Sequence, residues 1–228
     1  MVSAGFPFSA ADRDLVGAAV TAAETGTDGE IVTIVARRSD DYRDTALIGG
    51  ALAMLLVLAL LAFEPRWIDA VLAPWHGGWD EAPGEGVRLL VVLVVQVAAF
   101  ALAWAALRAP ALRLAVTPDH TKARRVQRRA VQHFKVGAES RTAARVGVLL
   151  FLSLDERRAE IVADAAIHAK VPAERWGEAM AALLVEVRAG RPAHGMAAAV
   201  ARIGAIVGEH FPKTADDVNE LPDRLIEL

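Results

Sequence analysis

The sequence contains no cysteine, which excludes disulfide bonds, thiolate metal sites and a cysteine nucleophile. It also lacks the motifs whose spacing is diagnostic of common enzymes: the P-loop, G-x-G-x-x-G, H-E-x-x-H and G-x-S-x-G. Its first residues, MVSAGFPFSAADRD, have neither a basic start nor an apolar core, so we expect no cleaved signal peptide. The physical character of the chain is therefore the main guide to its function.

Charge is scarce over long parts of the chain. Of the 228 residues, 54% are hydrophobic, and the mean hydropathy of +0.33 is high for a soluble protein. The formal net charge of −3 averages over unequal segments, because residues 64–88 are mainly acidic and residues 108–135 are mainly basic. This layout is typical of a chain that is partly solvated by lipid.

Two stretches, Ala46–Phe63 and Leu89–Leu107, carry no charged residue, and Gln96 is the only strongly polar side chain in the second. As helices, both come close to the hydrocarbon thickness of a bilayer, about 30 Å. Core helices of a soluble protein are the alternative, but these normally show a polar stripe, and neither stretch has one. The pattern predicts a transmembrane hairpin with residues 64–88 as its loop, in which His76 is a solvated side chain rather than a metal ligand.

Basic residues on either side of the hairpin predict its orientation. Arginines precede the first span and follow the second, whereas the loop has arginine only at its rims, so both termini are expected in the cytoplasm. The residues that carry this prediction are Arg37, Arg38 and Arg43 before the hairpin, Arg66 and Arg88 in the loop, and Arg108 and Arg113 after it.

The polar segments predict one α/β domain that the hairpin interrupts. A capped helix from Ser9 and a strand, Glu30–Arg37, cannot bury themselves, so we expect the strand to pair with a hairpin of strands formed by Val146–Leu154 and Ala159–Ala163. Helices from Pro172 to Gly190 and from Gly195 to His210 would cover this small central sheet. The predicted organisation is 1–44 (first helix and strand), 45–107 (hairpin), 108–212 (basic linker helix and main part of the domain) and 213–228 (polar, extended tail).

Carboxylates and one histidine near strand ends are the candidate site residues. Asp164 and His168 lie four residues apart, so they could form a catalytic pair or bind a divalent cation such as Ca²⁺ or Mg²⁺. Glu220 and Asp223 in the tail would add oxygen ligands if the tail folds back. In the alternative interpretation, Asp164 caps a short helix and His168 is solvated. Asp155 and Glu156 could form a paired-carboxylate site, but a solvated turn with local ion pairs is favoured.

Four arginines form a broad basic face on the predicted helix after Pro118. They are Arg124, Arg125, Arg128 and Arg129. Because this helix follows a membrane span closely, we predict contact with anionic lipid headgroups, at about 1 kcal/mol for each basic side chain. A merely solvated helix face is the competing interpretation. A nucleic-acid partner is not expected, since interleaved aromatic residues and known motifs are absent.

The combination GEIVTIVAR, RVGVLLFLSLDERRAEIVADAAI, WGEAMAALLVEVRAGRPAHGMAAAVARIG and HFPKTADDVNELPD resembles the TPM domain, especially that of membrane-anchored bacterial members. The resemblance implies an α/β sandwich with a small central sheet, located here at the bacterial inner membrane. It also implies one of two functions, because some relatives are associated with acid phosphatase activity or divalent-metal binding and others with assembly, repair or accessory roles. Where many relatives have a glycine-rich turn, this chain has Ala163–His168.

We therefore expect a non-enzymatic interaction, assembly or repair factor, whose partners are the bilayer and another membrane protein. The alternative is a metal-dependent, acid-phosphatase-like hydrolase that acts on phosphomonoesters and uses Asp164 with neighbouring carboxylates.

Overall fold

The computed structural model describes residues 8–73, 84–137, 146–214 and 223–228. The chain divides into two compact units, one formed by residues 1–40 and 119–228 and the other by residues 41–118. The elements are α1 (Ala10–Glu24), β1 (Glu30–Ala36), α2 (Arg43–Phe63), α3 (Arg66–Leu72), α4 (Glu85–Ala106), α5 (Pro110–Val116), α6 (Asp119–Gly137), β2 (Gly147–Ser153), β3 (Arg158–Ala163), α7 (Ala165–His168), α8 (Ala173–Arg188), α9 (Pro192–His210) and β4 (Leu225–Glu227).

The larger unit is built on a four-stranded sheet in the order β3-β2-β1-β4. The predicted pairing of the first strand with the later hairpin is confirmed, since β1 runs parallel to β2 with Ile31 opposite Val148 and Val35 opposite Leu152. Strand β3 returns antiparallel beside β2. The sheet thus joins residues from both sides of the apolar segments, and the predicted mixed α/β architecture is confirmed.

Each face of the sheet has its own hydrophobic core. On one face, Val35 and Leu150 pack with buried side chains of α1, α7, α8 and α9. On the other face, Leu149 and Phe151 pack against Val126, Ala130 and Phe134 of α6. Because β1 and β2 are covered on both faces, their apolar residues do not alternate with polar ones, as in other buried parallel strands.

Local signals position the ends of several elements. The predicted capping box is present in α1, where the Ser9 hydroxyl accepts from the Asp12 N–H at 3.1 Å and Asp12 accepts from the Ser9 N–H at 2.9 Å. Pro172 directly precedes α8 and Phe211 follows α9.

Strand β4 was not predicted, because residues 213–228 were expected to be only a polar, extended tail. Its three residues run parallel to β1 and complete the sheet.

The smaller unit consists mainly of α2 and α4, which pack against each other. Gly50 lets the helices approach closely, because a Cβ at that position would lie 2.7 Å from the ring of Phe100. Both helices are long and apolar enough to cross a membrane; 17% of the most apolar stretch of α2 is buried, and none of that of α4. Two short helices that were not predicted, α3 and α5, complete this unit.

Thr33, in the core of the larger unit, gives a direct test of the packing around the sheet. Thr33 is fully buried in β1, and its hydroxyl has no hydrogen-bond partner among the described residues. Because an unsatisfied buried hydroxyl is costly and valine has nearly the same shape, we expect Thr33→Val to raise the free energy of unfolding by about 1 kcal/mol. Urea unfolding of the chain in mild detergent would measure the change.

Thr27 is the matched control, because it is also buried but its hydroxyl is fully used. The hydroxyl donates to the Phe211 carbonyl at 2.6 Å and accepts from the Gly29 N–H at 3.0 Å. Thr27→Val should therefore lower the free energy of unfolding, by about 1.5 kcal/mol. If both variants lowered the free energy of unfolding by the same amount, the Thr33 hydroxyl would have to be as well hydrogen-bonded as that of Thr27, which would contradict the prediction.

Candidate functional site

Four carboxylates lie at one edge of the sheet, which we call the acidic edge and define as Glu24, Glu30, Asp164 and Asp223. Glu30 begins β1, Asp223 precedes β4, which is parallel to β1, and Asp164 follows β3, which is antiparallel to β2. The topology therefore places two residues that were predicted as ligands, Asp164 and Asp223, at the same end of the sheet but next to its two outer strands, β3 and β4. Glu24 and Glu30, which were not predicted, lie at this end as well.

Asp164 occupies a structural position within this edge. Its side chain is buried, and Oδ2 accepts from the Gly147 N–H at 2.7 Å, which ties the end of β3 to the start of β2. Asp164 is the N-cap residue of α7 as predicted, but its side chain makes no capping hydrogen bond. His168 is exposed at the other end of α7. The buried carboxylate and the exposed imidazole thus have different surroundings.

Glu24 lies close enough to Asp223 for the charge of Asp223 to influence the protonation of Glu24. The Glu24 carboxylate accepts from the Ile31 N–H at 2.7 Å and is largely buried. Burial raises the pKa of Glu24 to about 8, against the lowering effect of the Ile31 N–H; the charges of Glu30 and Asp223 raise it further. Asp223 also accepts from the Thr21 hydroxyl at 2.8 Å. The Thr21–Asp223 hydrogen bond thus joins the start of the last described segment to α1, next to a buried Glu24 carboxyl group that is protonated at neutral pH.

The predicted cation ligands do not converge in the described part of the chain. Within it, no three His, Asp or Glu side chains are placed so that they could hold a metal ion together. Asp164 and Asp223 each use their carboxylates for protein hydrogen bonds. Glu220 and His76 lie outside the described residues. The described residues therefore form no three-ligand site, and a cation held by Asp164, Glu220 and Asp223 stays a prediction.

A second buried polar group lies at the opposite edge of the sheet; we call it the turn network and define it as Ser39, Ser153 and Glu156. Glu156 accepts from the Ser39 N–H at 2.9 Å, from the Ser39 hydroxyl at 2.6 Å and from the Ser153 hydroxyl. The predicted turn is present, but the expectation of a solvated turn is wrong for Glu156, which is only 7% exposed. Its neighbour Asp155 pairs with Arg38 at 3.0 Å.

In sequence, Ser39 of the turn network comes just before the point where the larger unit is interrupted. Ser39 is one residue from Asp40, where the larger unit is interrupted, and the larger unit resumes at Asp119. Asp40 pairs with Arg125 of α6 at 3.1 Å. These contacts attach the segment that follows β1 to the turn between β2 and β3 and to α6.

The predicted arginine cluster of α6 divides into two kinds of side chain. Arg125 is mostly covered and pairs with Asp40. Arg124, Arg128 and Arg129 are exposed, and no ion pair joins them to another described residue. We call these three the basic face. The opposite side of α6 carries Val126, Ala130 and Phe134 in the core, so the basic face points away from the sheet.

Comparisons with known proteins agree with the predicted resemblance. The family model described as the TPM domain matches residues 111–206. The fold is similar to the NMR structure of the BA42 protein from the psychrophilic bacterium Bizionia argentinensis, with a TM-score of 0.57, 15% identity and complete coverage of both chains. A comparison with curated proteins finds no match. The predicted resemblance to the TPM family is confirmed, and β1 and β4 lie outside the matched range although they complete its sheet.

Proposed function

We propose that this chain, which carries a TPM domain, is held in the bacterial inner membrane by α2 and α4 and acts there as a non-enzymatic interaction or assembly factor. The observation that carries the proposal is the exposure of the apolar surface of both helices. Leu52 and Leu55 of α2 and Leu102 of α4 are each more than half exposed, and none of the most apolar stretch of α4 is buried. Lipid is the solvent that suits such a surface.

The charge pattern supports a cytoplasmic location for the larger unit. Because two spans return the chain to its starting side, the helix and strand before α2 and the elements after α4 share one compartment. The arginines before and after the hairpin favour the cytoplasm for both. The TPM domain would then present its surfaces to other proteins at the inner face of the membrane.

The anchoring is tested by alkaline extraction of membranes from cells that express the full chain. We expect the protein to stay in the membrane pellet at high pH and to be released by mild detergent. Release by alkali alone would contradict the anchor.

The interaction role is tested by pull-down of the full chain from mild detergent. We expect the same membrane protein to be recovered in repeated experiments; failure to recover a reproducible partner would count against the interaction role.

An activity assay separates this proposal from the hydrolase alternative. The purified chain is incubated with a generic phosphomonoester and Mg²⁺ or Ca²⁺, next to Asp164→Asn, which keeps an acceptor for the Gly147 N–H. We expect no turnover above background from either protein. Hydrolysis by the unaltered chain that the substitution abolishes would favour the hydrolase and contradict the non-enzymatic role.

The basic face is proposed to contact anionic headgroups. Because the chain has no cysteine, Gln132→Cys on the exposed side of α6 can carry an environment-sensitive fluorophore. In vesicles with anionic lipid we expect a spectral shift that high salt reverses. Arg128→Gln should weaken the lipid response about fivefold, in line with a contribution of about 1 kcal/mol.

Arg125→Gln is the matched control for this measurement. It removes a charge of the same sign from the neighbouring turn of α6, but Arg125 is mostly covered and pairs with Asp40. We expect its lipid response to stay close to that of the unaltered chain. Equal loss in both variants would show that overall charge, rather than the basic face, determines the response.

A further inference from the structure

Gln96 is a polar side chain at the middle of an otherwise apolar helix. It lies near the midpoint of α4 (Glu85–Ala106), about 15 Å from either end by the rise of a helix. At that depth its amide cannot reach an interface, in contrast to a long basic side chain near a helix end. No hydrogen bond joins the amide to any residue that the structure describes. An amide without a partner in hydrocarbon is costly.

The position of Gln96 leaves it accessible to a second helix. It is half-buried at the flank of the α2–α4 contact, in which Phe100 packs over Gly50. On the outward flank, Leu93 and Leu89 follow the same side of α4 one and two turns earlier and are 56% and 68% exposed. A helix that packs on this flank would cover both leucines and meet the amide without disturbing the hairpin.

We propose that this flank of α4 pairs with the same flank of a second copy of the chain, with the two Gln96 amides hydrogen-bonded to each other. A carboxamide is both donor and acceptor, so its natural complement is another carboxamide. Two copies inserted in the same direction and related by a two-fold axis along the membrane normal place their Gln96 residues at the same depth. The inference rests on the membrane insertion proposed above.

The absence of cysteine allows a clean crosslinking test in the full chain, reconstituted alone into phospholipid vesicles. Leu93→Cys introduces a thiol on the proposed flank. Ala98→Cys is the matched control, because Ala98 is exposed at nearly the same depth but is rotated by about 200° from Gln96 around the helix axis. Under mild oxidation we expect disulfide-linked dimers for Leu93→Cys and little or none for Ala98→Cys.

The role of the amide is tested in the Leu93→Cys background. Gln96→Leu should weaken dimer formation about tenfold at a fixed protein-to-lipid ratio, as expected for two interhelical hydrogen bonds. Gln96→Asn, which keeps the amide, should retain part of the dimer. Equal crosslinking with glutamine and leucine at position 96, or equal crosslinking at positions 93 and 98, would overturn the proposal.

The same vesicles distinguish failure of this inference from failure of the anchor. A chain that resists alkaline extraction but gives no Leu93→Cys dimer contradicts the pairing and leaves the membrane anchor standing. A chain that alkali removes from the vesicles contradicts the anchor, and the pairing falls with it.

Discussion

Replacing Glu156 with alanine is expected to lower the free energy of unfolding by about 3 kcal/mol. The carboxylate is buried and accepts hydrogen bonds from the Ser39 N–H, the Ser39 hydroxyl and the Ser153 hydroxyl. Alanine would leave these buried donors without an acceptor. Urea unfolding in mild detergent measures the change, and hydrogen exchange should show faster opening at the end of β1, close to Ser39.

Asp155 offers a control in the same turn. Its carboxylate pairs with Arg38 at 3.0 Å, but both side chains are partly exposed. Because solvent screens such a pair, Asp155→Ala should cost about 0.5 kcal/mol. Comparable losses in the two variants would mean that the turn is sensitive to any change of charge, and that the turn network has no special part in holding the strand.

Replacing Glu24 with glutamine is expected to stabilise the protein at high pH and to leave its stability nearly unchanged at low pH. Burial and nearby acidic side chains raise the pKa of Glu24 in the folded chain to about 8, well above the ordinary value of 4.5. Between these two values the folded state keeps a proton that the unfolded state has released. Stability therefore falls as pH rises through this window, and the penalty is fully present above pH 8.

We expect Glu24→Gln to gain about 2 kcal/mol relative to the unaltered chain at pH 9 and to match it near pH 4. Glutamine keeps an acceptor for the Ile31 N–H, so the local hydrogen bond is retained. The measurement is the difference in unfolding free energy between the two proteins across this pH range. For Glu178→Gln, at an exposed position of α8, the difference in unfolding free energy from the unaltered chain should not change with pH. If the difference for Glu24→Gln did not change with pH either, Glu24 could not be a buried, protonated carboxyl group.

The sheet could be predicted wherever burial on two faces leaves a continuous apolar run. Such a run made both β1 and β2 recognisable, and the need of each strand for a partner predicted that they pair, which the position of Ile31 opposite Val148 confirms. Strand β4 could not be recognised in this way. It has three residues, so it is too short to show a period, and it forms only because β1 offers it an edge.

The candidate site was less predictable because its contacts join distant parts of the chain. Glu156 has charged neighbours in sequence, which favoured a solvated turn, but its partner Ser39 lies 117 residues away. Glu24 and Glu30 flank the turn T-G-T-D-G, and this close spacing of two acids around glycines was the only available signal. The pairing of Arg125 with Asp40 is likewise invisible in helical periodicity, which assigns Arg125 to the same broad surface as Arg124.

Residues 1–40 and 119–228 can form one domain around a membrane hairpin only if both segments lie on the same side of the bilayer, and thiol accessibility in intact cells shows which side each occupies. Single cysteines are introduced at Ala10 in α1, at Arg224 before β4 and at Gly84 before α4, all of which are exposed in the structure. With an impermeant reagent we expect Gly84→Cys to react from outside, and Ala10→Cys and Arg224→Cys to react only after the membrane is opened. Reaction of Ala10→Cys and Arg224→Cys from opposite sides would contradict the account, because β1 and β2 could not then share a sheet.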